Sequence, residues 1–146
     1  DMSPSLFTGS ILRGRTIDVF NKGRMQRDFT YIDDIVEGVV RVIDQVAQPD
    51  PAFDASAPDP AISYAPYRLY NIGNNEPVEL MDFIAAIEEA VDKKAEKRML
   101  EMQAGDVVAT YADIDELHAA VGFRPKTSLH EGIRKFVGWF RDYYRL

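Results

Sequence analysis

Arg27-Asp-Phe-Thr-Tyr-Ile32, continuing as Asp33-Asp-Ile-Val-Glu-Gly-Val-Val-Arg-Val-Ile43, holds the change of periodicity from which the fold is worked out. Up to Ile32, aromatic and β-branched residues alternate with charged or hydroxyl residues, the two-residue period of a half-buried strand. From Asp33 onward, Ile35, Val36, Val39, Val40 and Ile43 recur at the 3.6-residue period of a helix, with Asp33 placed to cap it. Val42 and Val46 widen the apolar stripe, so a helix from Ile35 to Val46 is expected to be covered on more than one side. A second strand-like run, Thr16-Ile-Asp-Val-Phe20, lies upstream, and Gly23 falls between the two. A β-hairpin with a long loop is the expectation.

Working outward, Ser3 and Pro4 read as the cap and first position of a helix carrying Leu6, Phe7 and Ile11 on one face and stopping at Gly14. Residues 48–66 contain Pro49, Pro51, Pro58, Pro60 and Pro66, which exclude regular structure and mark a surface loop. Tyr67-Arg-Leu-Tyr-Asn-Ile72 reads as a strand, followed by a turn at Gly73-Asn-Asn75 and an amphipathic helix through Leu80, Phe83, Ile84, Ile87 and Val91. Residues 96–102 read as another strand. The resulting strand–helix–strand unit should have parallel strands. Asp113 and Ser128 begin capping boxes for two further helices, the first ended by Gly122. The fold class is therefore α/β: a small mixed sheet with a hairpin and a strand–helix–strand unit, packed by about five helices in a single domain, residues 1–146.

Composition narrows the function classes. The 146 residues carry 17 Lys+Arg, 24 Asp+Glu and no cysteine, for a net charge of −7. A disulfide scaffold is excluded, and a zinc site would have to be built from two histidines and carboxylates. No apolar run approaches the roughly 20 residues of a membrane span, and no leader pattern opens the sequence, so no membrane association and a cytoplasmic setting are expected. Residues 13–27 hold five bases against one acid, while the rest holds 12 bases against 23 acids. A cationic segment in an acidic chain argues against nucleic acid as a partner and suits a small anionic ligand. A solvated turn with scattered bases has the same composition.

Active-site motifs are missing. None of the nine glycines is separated from another by a single residue, so no dinucleotide-binding G-x-G exists. There is no G-x-x-x-x-G-K-[ST] loop, no G-x-S-x-G elbow, and no tyrosine followed four residues later by lysine. His118 and His130 read as surface residues. No catalytic, cofactor-binding or metal-ligating residue is therefore assigned. What remains is binding chemistry. Phe20 ends a strand beside the cationic turn, close to Arg24 and Arg27, where a planar base could stack while guanidinium groups take phosphate oxygens. Asp106 could accept hydrogen bonds from a ribose. The bland alternatives are a core Phe20, an Arg27–Asp28 ion pair and a turn aspartate.

Val19-Phe-Asn-Lys-Gly23, Arg27-Asp-Phe-Thr-Tyr-Ile-Asp-Asp34, Tyr70-Asn-Ile-Gly73, Pro77-Val-Glu-Leu80, Gly105-Asp-Val107 and Ala112-Asp113 occur in this order. Together they resemble the C-terminal part of the extended short-chain dehydrogenase/reductase family of nucleotide-sugar epimerases and dehydratases. Within it the likeness is to UDP-glucuronate 4-epimerases, especially at Gly23-x-x-x-Arg27 through Ile35 and at Met102-Gln-Ala-Gly-Asp-Val107. The resemblance implies the substrate-binding lobe of such an enzyme, without its Rossmann domain. UDP-sugar would be its partner and NAD the cofactor of the longer parent. It places Phe20 against uracil, Arg27 at the diphosphate or uridine, Asp106 near the ribose and Phe7 on the nucleotide side. Asp1-Met2 resembles the end of the loop entering this lobe. Gln103 stands where many relatives carry a phosphate-binding arginine, which implies a weaker phosphate grip. The family's glycine-rich loop and Tyr-x-x-x-Lys precede this region, so the chain is expected to be part of a longer enzyme and inactive alone. It is also expected to self-associate through the valine-rich helix that would meet the cofactor domain. A 4,6-dehydratase, a UDP-galactose 4-epimerase or a stand-alone binding or assembly module remain the rival readings.

Overall fold

A computed structural model describes residues 3–146; the expectation for Asp1-Met2 lies outside them. The elements run α1 (Ser3–Leu12), β1 (Ile17–Val19), β2 (Gln26–Asp28), α2 (Ile32–Ile43), β3 (Pro77–Glu79), α3 (Leu80–Val91), β4 (Lys97–Met99), α4 (Asp115–Val121) and α5 (Leu129–Tyr144). This is the α/β class with five helices. The core is organised by α3, which packs against α1 and α5. Phe83, Ile84 and Ile87 on α3 are fully buried, joined by Ile11, Val19, Leu80, Val91, Ile133 and Val137. The apolar spacing of α3 therefore faces inward all along its length, as its sequence requires.

The strand pairings differ from the expectation. No hairpin forms. β1 pairs in parallel with β4 (Ile17 opposite Lys97, Val19 opposite Met99), and β2 pairs antiparallel with β3 (Arg27 opposite Val78). These are two separate two-stranded ladders. The cause lies in the turn between β1 and β2, where Asn21, Lys22 and Gly23 are consecutively left-handed (φ 49°, 53° and 78°). A hairpin turn returns the chain alongside itself, whereas this one carries it away while Lys22 N–H donates to Leu100 C=O at 2.9 Å. A side chain at Gly23 would meet the sulfur of Met81 at 2.6 Å, so the turn is also packed tightly on α3.

Residues 67–72 form no strand. Their nearest backbone partners are a single bridge from Arg68 to Ile62 and the Leu69 N–H donating to Ala61 C=O at 3.0 Å. The parallel partner of β4 is therefore β1, not this segment. Helix α2 begins at Ile32 behind an extended Tyr31, so Asp33 falls in the first turn rather than at the cap, and the helix ends at Ile43, short of Val46.

Helix α2 is also not covered on more than one side. Its buried residues are Asp34 and Gly38, while Ile32, Val36, Val39, Val40 and Ile43 are exposed. Gly38 sits against Phe123 and Ile72, close enough that a Cβ would lie 3.1 Å from the Phe123 ring. The Asp34 carboxylate accepts the Lys126 and Thr127 amides at 3.3 and 3.1 Å, tying α2 to the loop before α5. The helix is held by its small and polar side and presents its valines to solvent.

The strand read over residues 27–32 ends at Asp28, that over 96–102 is confined to Lys97–Met99, and Ser3 is the first residue of α1 rather than its cap. Ser128 Oγ accepts the Glu131 amide at 3.3 Å and caps α5 as expected, whereas α4 starts behind Ile114 with no side-chain cap, and Asp113 only closes a local turn by accepting the Asp115 amide at 3.0 Å. Left-handed Gly14 and Gly122 follow α1 and α4. The proline-rich segment 48–66 contains neither helix nor named strand.

Candidate functional site

A cleft of about 730 Å³ opens between α1, the β1–β2 region and the segment after β4. Phe7, Phe20, Arg27, Gln103 and Asp106, the five residues singled out from sequence, all line it. A smaller recess of about 170 Å³ shares Phe7, Phe20, Arg27 and Asp106, and adds Met25 and Leu80 as an apolar floor. Phe7 and Phe20 are half-buried and pack against the core cluster, so each ring is braced on one side and faces the cleft on the other. The core and ligand readings of Phe20 are thus compatible.

Arg27 makes no ion pair with Asp28. It donates through one guanidinium nitrogen to the carbonyls of Gln26 at 2.7 Å and Val108 at 3.3 Å. Such anchoring fixes the plane of the fork and leaves other N–H groups for an anion. Of the five bases in residues 13–27, only Arg27 lines the cleft. Arg24, expected close by, does not. Lys22 pairs with Glu101 at 2.7 Å, and Arg13 donates to the Gly9 carbonyl at 3.0 Å.

The cleft also holds residues that the sequence reading did not single out, namely Asp18, Asp28 and Phe29. Asp18 takes a two-pronged hydrogen bond from Arg98 (2.7 and 2.9 Å), which holds its carboxyl below the usual range. Asp28 accepts three backbone amides: Asn74 at 3.1 Å, Asn75 at 3.1 Å and Ala112 at 3.2 Å. Both carboxylates therefore have partners, and Arg27 is the cation facing the cleft from this side. Phe29 stacks on Phe83 at 4.1 Å. It separates the cleft from a second, mostly apolar cavity of about 350 Å³ beside Tyr31, Leu129 and Phe136. That cavity contains none of the five residues. A clue to Asp28 was available in the sequence: it is an aspartate inside a strand pattern, where aspartate is disfavoured.

Residues 4–73 match the family model described as NAD dependent epimerase/dehydratase family. The chain is similar to that family over this stretch, just under half of its length. Protein CapI of Staphylococcus aureus is 47% identical over 145 residues, covering 99% of this chain and 43% of the relative. A probable UDP-glucuronate 4-epimerase of Rhizobium meliloti is 43% identical over 146 residues, again covering 99% and 43%. The structure of UDP-glucuronic acid 4-epimerase from Bacillus cereus, in complex with UDP-glucuronic acid and NAD, superposes with a TM-score of 0.79. That match is 25% identical and covers 99% of this chain and 41% of the other. The chain spans less than half the length of the curated relatives it matches.

The residues present do not fit NAD. A dinucleotide needs closely spaced glycines at a strand-to-helix turn. Here β2 enters α2 through Phe29-Thr-Tyr, and β3 runs directly into α3. No step involving NAD is assigned to this chain. Among the described residues, no group of His, Cys, Asp or Glu is placed to hold a metal, and no helix is long and apolar enough to cross a membrane. His118 and His130 are exposed, the latter 3.7 Å from Glu89.

Proposed function

We propose that this chain is the UDP-sugar-binding part of an NAD-dependent epimerase whose complete form interconverts UDP-glucuronate and its C4 epimer. The single observation that carries the reading is the convergence of Phe7, Phe20, Arg27, Gln103 and Asp106 on one cleft. An aromatic wall, a pinned guanidinium and a free carboxylate are what a base, a diphosphate and a ribose require. Phe20 stacks the uracil, Arg27 holds the diphosphate, Gln103 adds a neutral hydrogen bond beside it, and Asp106 accepts from the ribose hydroxyls. The chain itself contributes binding and orientation. Alone it is inactive, because it carries neither the glycine-rich NAD loop nor the Tyr-x-x-x-Lys pair. The reading includes a cytoplasmic setting and a role in supplying sugar donors for polysaccharide synthesis.

Calorimetry with UDP tests the site. The wild-type chain should bind, and Phe20→Ala with Arg27→Ala together should abolish binding. Micromolar binding that survives both substitutions overturns the assignment. UDP-glucuronate and NAD incubated with the chain should give no epimer, and measurable turnover would refute the inactivity. The exposed valines of α2 form the face through which the chain self-associates when unpartnered. A single monomeric species by light scattering at high concentration is the result that removes this part.

A further inference from the structure

Three of the sequence motifs meet at one carboxylate. Asp28 of the Arg27-Asp-Phe motif accepts the amides that follow Tyr70-Asn-Ile-Gly73, at Asn74 and Asn75, and the amide of Ala112 in Ala112-Asp113. Its own N–H donates to Thr110 Oγ1 at 3.1 Å. Gly73 belongs to the same arrangement. A Cβ there would lie 2.8 Å from Asp28 Oδ2 and 2.3 Å from the Ala112 Cβ, so the carboxylate and Ala112 occupy the space a side chain would need.

We infer that Asp28 is a positioning residue, which sets the separation between Arg27 and Asp106 across the cleft. The inference rests on the nucleotide reading of that cleft. Arg27 lies on β2, and Asp106 lies on a distant stretch of chain laid alongside it. The contacts that join the two stretches are few. Gln26 N–H donates to Val108 C=O at 2.8 Å, Thr110 N–H donates to Gln26 C=O at 3.3 Å, and Arg27 reaches Val108 C=O. Asp28 adds the Thr110 and Ala112 contacts one residue beyond Arg27, and fixes both stretches to the 73–75 turn. An ionised carboxylate only accepts, which suits three converging N–H donors. Asparagine would turn an NH₂ toward at least one of them and leave an amide without an acceptor. Asp28 thus acts through its neighbours: its oxygens are committed to amides, and it reaches the ligand by holding Arg27 and Asp106 in place.

The experiment compares wild type, Asp28→Asn, Arg27→Ala and the double variant by ¹⁵N-resolved NMR and UDP titration. In the free protein, Asp28→Asn should shift the Arg27 Nε–H and Asp106 amide signals as well as those of Asn74, Asn75 and Ala112. UDP should bind about tenfold more weakly to Asp28→Asn than to wild type, as expected when a positioned contact is misaligned. In the Arg27→Ala background the same substitution should cost less than about twofold, since coupled residues are not additive. Equal losses in both backgrounds, unchanged affinity, or unmoved Arg27 and Asp106 signals each overturn the inference. If wild type fails to bind UDP, the nucleotide reading falls and the free-protein shifts alone decide the positioning role. If Asp28→Asn does not fold, Thr110→Val replaces it. That variant should move the same signals and weaken UDP about threefold, and unmoved signals would overturn the inference.

Discussion

Glu88 offers the sharpest test of what stabilises the core. It lies on α3 among apolar residues, with its side chain only 4% exposed. Burial alone would push its carboxyl up, but Lys94 at 2.8 Å, Lys97 and the Ala95 amide at 3.1 Å outweigh it and hold the group at about 2, against an ordinary 4.5. The sign follows directly. The folded value lies below the unfolded one, so this stabilisation is complete above about pH 4.5 and disappears as the pH falls through about 2. The full shift corresponds to at most about 3 kcal/mol. Lys94 is largely in solvent and its pairing is screened, which leaves about 2 kcal/mol as the expected contribution. Urea unfolding of wild type and Glu88→Gln at pH 7, 4, 3 and 2 measures it. Wild type should be the more stable by about 2 kcal/mol at pH 7, with the gap closing toward pH 2. A gap of the same size at pH 7 and pH 2 would show that the loss is one of packing, and the charge argument would be refuted.

Gly73→Ala should destabilise the chain by about 1–3 kcal/mol in thermal or urea unfolding, because the methyl has no room between Asp28 and Ala112. An unchanged midpoint would mean that the turn relaxes freely. Phe83→Ala, which empties the centre of the core and removes the ring stacked on Phe29, should cost about 3–5 kcal/mol. A loss below about 1 kcal/mol would place the core elsewhere. Phe20→Ala alone should weaken UDP binding by about 1–3 kcal/mol, the worth of one base stacked on one ring, and calorimetry that finds no change would remove Phe20 from the site. Val36→Glu with Val40→Glu should suppress self-association in sedimentation experiments while leaving α2 intact by circular dichroism. Persistence of the oligomer would move the contact off this helix.

The helices were legible in the sequence because each carries its own signal. The apolar period of α3, the serine cap of α5 and the glycines after α1 and α4 act over one or two turns, and local physics is enough to read them. Strand pairing is not local. Residues 16–20 and 27–32 alternate like hairpin partners, yet three left-handed residues in a row redirect the chain, and while Asn21 and Gly23 are residue types that adopt this conformation, Lys22 gives no sign of it. The segment 67–72 shows the converse case, a strand pattern without a ladder. It lies beside α2, whose Gly38 meets Ile72 while its valines face solvent. Both signals are intact in the sequence, and what each lacks is a partner surface, which no local pattern supplies.

The residues of the candidate cleft could be picked out by a different route, and the basic segment that pointed toward it contributes less than its charge suggests. A segment with five bases and one acid looked like the anion-binding element itself. In three dimensions Lys22 is paired with Glu101, Arg13 donates to a helix carbonyl, and only Arg27 reaches the cleft. The useful quantity is therefore the orientation of one guanidinium rather than a sum of charges. That orientation depends on carbonyls of residues 26 and 108 and, beside them, on an aspartate that a charge count would score as cancelling Arg27. Asp28 neutralises nothing in the cleft, because its oxygens face backbone amides. An adjacent acid and base with separate sets of partners have opposite signs in a charge sum and the same sense in the site: one presents the charge to the cleft, and the other holds in place the strand that presents it.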